Sequence, residues 1–119
     1  MLGRSGPARP ADTAATTVVG ACEQLMDALR ERYPLPSVYL LIDGRLRCQA
    51  ARGYFQVVDG FPVGTGVIGR VVRTGVAVLE QDVTSHDGFI AAMPGLLSEA
   101  CVPVRLDGQV VGAITVEST

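Results

Sequence analysis

Chemistry in this chain has few places to start. The 119 residues hold three cysteines, one histidine and no tryptophan. Cys22, Cys48 and Cys101 form no CxxC or CxC pair and have no histidine nearby, so the spacing of a zinc site or disulfide framework is missing. Reduced thiols filling core positions are the expectation. His86 stands in the polar run TSHDG and is expected in solvent. Gly64, Gly66 and Gly69 spell G-x-G-x-x-G, which grips a dinucleotide only when a strand leads into it inside a βαβ unit. Here a loop leads in, and nucleotide binding through the triplet is not expected.

Those glycines belong to residues 61–83, FPVGTGVIGRVVRTGVAVLEQDV, around which the rest of the chain is organised. Val67, Ile68, Val71 and Val72 repeat along one face of a helix about two turns long. Thr65 and Gly66 mark its start, and Gly75 supplies the left-handed residue that stops it. Residues 76–81 then read as a strand closed by Asp82. So short a helix cannot bury its own apolar face and must lie across a sheet. A helix seated by glycine turns tends to leave a hollow beside it, which points to a small-molecule sensor.

The remaining elements can be read in order. Residues 1–11 carry Gly3, Gly6, Pro7 and Pro10 without an apolar period and are expected to be a flexible tail before a single domain over 12–119. Asp12 or Thr13 is a candidate cap for a helix running to about Arg32, with Val18, Val19, Cys22, Leu25, Met26 and Leu29 on one stripe. That stripe either packs on the sheet or meets its counterpart in a homodimer. SVYLLI and RLRCQAARG flank Asp43-Gly44, a hairpin signal, with Leu46, Cys48 and Ala50 expected to share one face. FIAAM, residues 89–93, has the makings of one or two helical turns before Pro94-Gly95. A second hairpin is expected at Asp107-Gly108, followed by QVVGAITVE, in which Gly112 marks a bulge or a close approach. The order predicts an α+β fold with an antiparallel sheet and no βαβ crossover.

Composition narrows the class. Hydrophobic residues make up 48%, charged residues 18%, and the formal net charge is −2, which describes a globular protein without the basic surface of a nucleic-acid binder. No apolar run approaches the roughly 20 residues of a membrane helix, and no signal peptide is recognisable. A cytoplasmic location is expected, with neither nucleic acid nor membrane as partner.

PVGTGVIGRVVRTGVAVLEQDV, followed by PGLLSEACVPVRLDGQVVGAITVES, resembles the signature of GAF domains. The likeness covers residues 13–118 and rests on the turn-helix-turn, the Asp-Val pair, the Ser-Glu before a Val-Pro strand and the closing Val-Glu-Ser, taken in that order. The resemblance implies a GAF-like, PAS-related central antiparallel sheet of five or six strands. It implies a leading helix on one face, and short helices and loops over a pocket on the other. GAF domains usually end in a further helix that pairs with the first. Since no such helix follows residue 119, the resemblance implies a sensory module whose output domain lies C-terminal to it. RCQAARGY and SEACVPV are closest in tone to bacterial GAF modules preceding diguanylate cyclase domains.

The family also contains free methionine sulfoxide reductases, whose cysteines would fall at about Val58, Ile68 and Ala92 here. None is cysteine, so a non-catalytic sensor is expected, while Glu99 matches the substrate-binding acid of those enzymes and Glu117 falls where a second acid is expected. The haem ligand position of GAF haem sensors is occupied by Met93, and bilin attachment and the cyclic-nucleotide motif are also missing, so no cofactor and no metal are expected. The candidate ligand contacts are Tyr54, Phe89 and Met93 as walls and Thr65, Asp82, Ser98 and Glu99 as polar groups. Each has a plainer alternative. Asp82 can cap a turn, Glu99 can bond backbone amides, and Phe89 with Met93 can fill the hollow, leaving a ligand-free dimerisation scaffold. In the sensor reading, closure of residues 84–97 over the short helix changes how flanking helices pair.

Overall fold

A computed structural model describes residues 15–83 and 95–119. The expected tail, the proposed caps Asp12 and Thr13, the 89–93 turns, His86, Ala92 and the wall candidates Phe89 and Met93 therefore lie outside the described residues.

The leading helix, α1, runs Val18–Arg30. Its start is later than a cap at Asp12 or Thr13 would give, because Thr17 takes an extended conformation and its side chain accepts the Gly20 amide at 2.9 Å. That bond satisfies one of the orphan donors of the first turn. Thr17→Ala should cost about 1 kcal/mol in a urea titration, with no change of fold. The stripe itself divides. Met26 is fully buried with Val38 and Ala50, Cys22 and Leu29 pack beside them, and Val18, Val19 and Leu25 stay exposed.

Two hairpins form the sheet. Strands β1 (Leu35–Ile42) and β2 (Arg45–Ala51) join at Asp43-Gly44, whose φ angles of 51° and 76° are the two positive values a tight type I′ turn requires. Strands β5 (Ser98–Leu106) and β6 (Gln109–Ser118) join in the same way at Asp107-Gly108. A two-residue strand, β3 (Phe61–Pro62), adds to β2, and β4 (Val78–Glu80) adds to β5. The antiparallel order is β3-β2-β1-β6-β5-β4. Among the described residues, six strands, a helix on one face and a helix on the other give the α+β architecture expected from the sequence.

The second helix, α2 (Gly66–Thr74), lies on the face opposite α1. Val67, Val71 and Val72 are buried against Tyr39, Leu46, Phe61, Cys101 and Ala113, which together form the main core. Gly75 ends it at φ 72°, its amide bonding the Val71 carbonyl at 2.7 Å.

One strand face departs from expectation. The β1–β2 register pairs Val38 with Ala50 but Tyr39 with Cys48, so Gln49 is an extra residue in β2. This bulge breaks the alternation: Leu46 and Cys48 join the α2-side core, whereas Ala50 turns to Met26 beneath α1.

Candidate functional site

Alternation along β6 sends Ala113, Thr115 and Glu117 to the α2 face, and pairing with β5 sets Cys101 opposite Thr115 and Glu99 opposite Glu117. Two acids thus meet on neighbouring strands inside the fold. Glu99 is 3% exposed and Glu117 7%. A hollow lies in front of them, with about 420 Å3 of space when the open solvent at its mouth is included. Its floor is the sheet (Ser37, Tyr39, Glu99, Glu117), one wall is the loop carrying Tyr54, Val57 and Val58, and another is the start of α2, from Thr65 to Ile68.

The loop is tied down at several points. Asp59 accepts the Cys48 amide at 2.8 Å and faces Arg47 through two 3.2 Å contacts. The backbone bond from Cys48 leads the influences that hold the Asp59 carboxyl below its ordinary value. Tyr39 donates to the Val58 carbonyl at 2.6 Å, and Arg52 reaches Asp27 of α1 at 2.8 Å. Between these anchors the Tyr54 hydroxyl projects inward, 3.1 Å from the Leu35 carbonyl and in a short hydrogen bond with Glu117.

Among the described residues the acids have hydroxyl neighbours but no cationic ones. Thr115 Oγ1 stands 2.6 Å from Glu99 Oε2 and 3.2 Å from the Ala100 carbonyl. Among the described residues neither glutamate forms an ion pair; the salt bridges there are Arg47–Asp59 and Arg52–Asp27. Burial, followed by the neighbouring Glu117, pushes the Glu99 carboxyl up to about 7. Burial also raises Glu117, against the opposing effect of the Tyr54 hydrogen bond. Across the hollow, the α2 cap residue Thr65 makes no side-chain bond to the first turn. First-turn amides have no intrahelical partners, and an anionic group is one kind of partner a helix N-terminus accepts.

The sequence-derived candidates separate in space. Tyr54, Thr65 and Glu99 line the hollow together. Ser98 and Asp82 do not: alternation places Ser98 on the face opposite Glu99, and Asp82 is exposed just after β4. Ser37, Tyr39, Phe61 and Glu117 are lining residues absent from that set. For Glu117 a signal was present, since a charged residue on the inward phase of an apolar strand is costly without a purpose. The glycine triplet has a packing role: the bare Gly69 lets the Gly64 turn close onto the helix, where the Gly64 amide bonds the Gly69 carbonyl at 3.0 Å.

A family model described as GAF domain matches residues 12–119. The chain belongs to the GAF domain family. GAF domains are generally small-molecule-binding sensory modules. Among solved structures, a type II free methionine-R-sulfoxide reductase from Thermoplasma acidophilum is 29% identical with a TM-score of 0.72, over 80% of this chain and 72% of that one. The free methionine-R-sulfoxide reductase of Neisseria meningitidis, solved with its substrate, is 25% identical with a TM-score of 0.82, over 89% of this chain and 65% of that one. Protein YtsP of Bacillus subtilis is 35% identical over 57 residues, which are 48% of this chain and 35% of that protein. The present GAF domain thus matches about a third of YtsP and just under two thirds of the Neisseria enzyme.

These neighbours overturn the expectation that this GAF domain is non-catalytic. That expectation followed from Val58 and Ile68 standing where reductase cysteines were anticipated, and both do line the hollow. Motif position takes no account of thiols arriving from other strands. Cys48 packs against the α2-side core next to Tyr39, and Cys101 is buried on the same face. Burial raises both thiols above their ordinary values.

Proposed function

We propose that this GAF domain binds a small zwitterion of the free amino acid class, holding the ammonium at Glu99 and Glu117 and the carboxylate at the first turn of α2. The observation that carries this reading is the buried cross-strand acid pair with no cationic partner among the described residues. Two carboxylates without a counter-charge are unfavourable in a folded interior, and a bound ammonium supplies that charge. Tyr54, Tyr39, Phe61 and Val67 give the hollow an apolar side for the ligand's remaining atoms. The test is calorimetry with a panel of free amino acids, methionine and its sulfoxide included, beside the matching deaminated acids. Binding of the amine-bearing members alone supports the reading; equal binding of the deaminated acids refutes it. Glu117→Gln should weaken the best binder roughly 30-fold or more, because the ammonium then faces one carboxyl where it had two.

The reductase neighbours favour a second reading in which the bound amino acid is free methionine-R-sulfoxide and is turned over. Methionine formation with a dithiol reductant, measured before and after alkylation of Cys22, Cys48 and Cys101, decides it. Retention of full turnover after complete alkylation rules out thiol chemistry.

Signalling by occupancy completes the proposal. Val18, Val19 and Leu25 leave apolar surface exposed along α1, suited to pairing with a second copy and to passing a change in the hollow to an output domain. Arg52, whose loop also carries Tyr54, contacts α1 through Asp27 and the Glu23 carbonyl and supplies a physical link.

A further inference from the structure

Each buried acid in the hollow is served by one hydroxyl that also reaches a backbone carbonyl. Thr115 stands between Glu99 and the Ala100 carbonyl, and Tyr54 between Glu117 and the Leu35 carbonyl. A hydroxyl has a single proton to donate and can accept as well. Two arrangements follow from the same heavy-atom positions. With the carboxyl ionised, the hydroxyl donates to it and not to the carbonyl. With the carboxyl neutral, its own proton goes to the hydroxyl oxygen and the hydroxyl donates on to the carbonyl, so every group is satisfied. Gain or loss of one proton at the carboxyl, with rotation of the hydroxyl O–H, interconverts the two.

We infer that Thr115 and Tyr54 serve the glutamate pair in either charge state, that the buried pair holds a proton without a ligand, and that binding of an ammonium group expels that proton to solvent. The inference rests on the amine reading above for its ligand and on the paired hydroxyl geometry for the rest. The balance is simple: a neutral carboxyl and an ammonium ligand give a carboxylate–ammonium pair and one released proton. Nothing is oxidised or reduced.

The groups facing the pair agree with this. Around Glu99 stand Glu117 from β6, Cys101 from β5 and Tyr54 from the loop, all acids or weak acids. Glu80 on β4 is its register partner on the other side, adding a third carboxyl to the row. From β1 come Ser37 and Tyr39, and the wall of α2 offers Thr65, Gly66, Val67 and Ile68, none of them a cation. Such surroundings oppose ionisation until a positive ligand arrives. The adjacent carboxyls should therefore ionise as a coupled pair.

Two measurements on the intact chain test the inference. Carbon NMR of labelled glutamate carboxyls, which needs no ligand, should show Glu99 still neutral at about pH 5.5. Tyr54→Phe removes the donor that favours ionised Glu117 and should raise the midpoint of its ionisation. Thr115→Ser, which keeps the hydroxyl, should leave the Glu99 midpoint in place. Both carboxyls ionised at about pH 5.5, or a Tyr54→Phe midpoint unchanged in a folded protein, overturns the proton-holding role. For the coupling, calorimetry with L-methionine and L-methionine sulfoxide near pH 6, in two buffers of different ionisation enthalpy, should report about one proton released per ligand bound. Binding without release overturns the coupling while the amine reading stands. Failure of any amine to bind removes the amine reading and the coupling with it, and the NMR titration then still decides whether the buried pair holds a proton.

Discussion

Between about pH 4.5 and pH 7 the domain should lose about 3 kcal/mol of folding free energy, and Glu99→Gln should remove most of that slope. In the folded state the Glu99 carboxyl is raised to about 7 by burial and by Glu117, from an ordinary value of 4.5. Folding therefore takes up a proton in this window. A group raised in this way contributes its full stability below the unfolded value and loses it as pH climbs through the folded one, at about 1.4 kcal/mol per pH unit. Glu117, raised in the same direction, adds to the fall. Asp59 acts oppositely and in another range: its carboxyl is lowered, so its contribution is present above its ordinary value of 3.8 and disappears in more acid solution. Stability should then peak in mildly acid solution and decline toward neutrality. Urea titrations at about pH 5 and pH 8 measure this. At the higher pH the Glu99→Gln variant should be more stable than the wild type, and near pH 4.5 the two should coincide. A wild-type curve that is flat or rising across this window would show that the acids are ionised in the fold without penalty.

How much of this was open to a reader of the sequence depends on the range over which each feature is determined. Asp43-Gly44 and Asp107-Gly108 were legible because a type I′ turn is set by two adjacent backbone angles, and both pairs take positive φ. The ends of α2 were legible for a similar reason, with Thr65 and Gly75 in cap positions. The start of α1 was less so: Asp12, Thr13 and Thr17 are all competent caps, and residue type does not choose among them. Gln49 gave no sign of the bulge it forms, since the residues around it alternate without interruption. Tyr54 and Glu117 lie 63 positions apart, and their meeting depends on the β1–β6 register and the path of the loop together. Tyr54, Thr65 and Glu99 could be named as candidates one by one. Their convergence, and the exclusion of Ser98 by strand phase, belong to tertiary structure. The likeness to a family carried the reader to the right fold and, by the absence of three expected cysteines, to too firm a statement about catalysis.

Gly112→Ala should be the most damaging single-methyl change on the sheet. Gly112 lies in β6 beside the irregularity that pairs Val104 with Gly112 but Arg105 with Val110, and it also pairs with Leu40 of β1. An added Cβ would overlap the Tyr39 carbonyl oxygen and stand 2.8 Å from the Leu40 side chain. The leucine can rotate away, but the carbonyl is fixed within the sheet, so β1 and β6 must separate or slip. Tyr39 is also a wall of the hollow and bonds the Val58 carbonyl, so the damage reaches the site directly. A loss of about 3–5 kcal/mol is expected, out of the roughly 5–15 kcal/mol that a domain of this kind has in total. Gly44→Ala and Gly108→Ala are the controls. Nothing lies within 4 Å of either added Cβ, and the penalty is only that of an alanine at positive φ, about 1–2 kcal/mol. Urea midpoints for the three variants separate contact from conformation. If Gly112→Ala behaves like the two turn variants, the close approach of β1 and β6 is not a constraint on the fold, and the positions of Tyr39, Glu99 and Glu117 around the hollow are set by something other than the packing of these two strands.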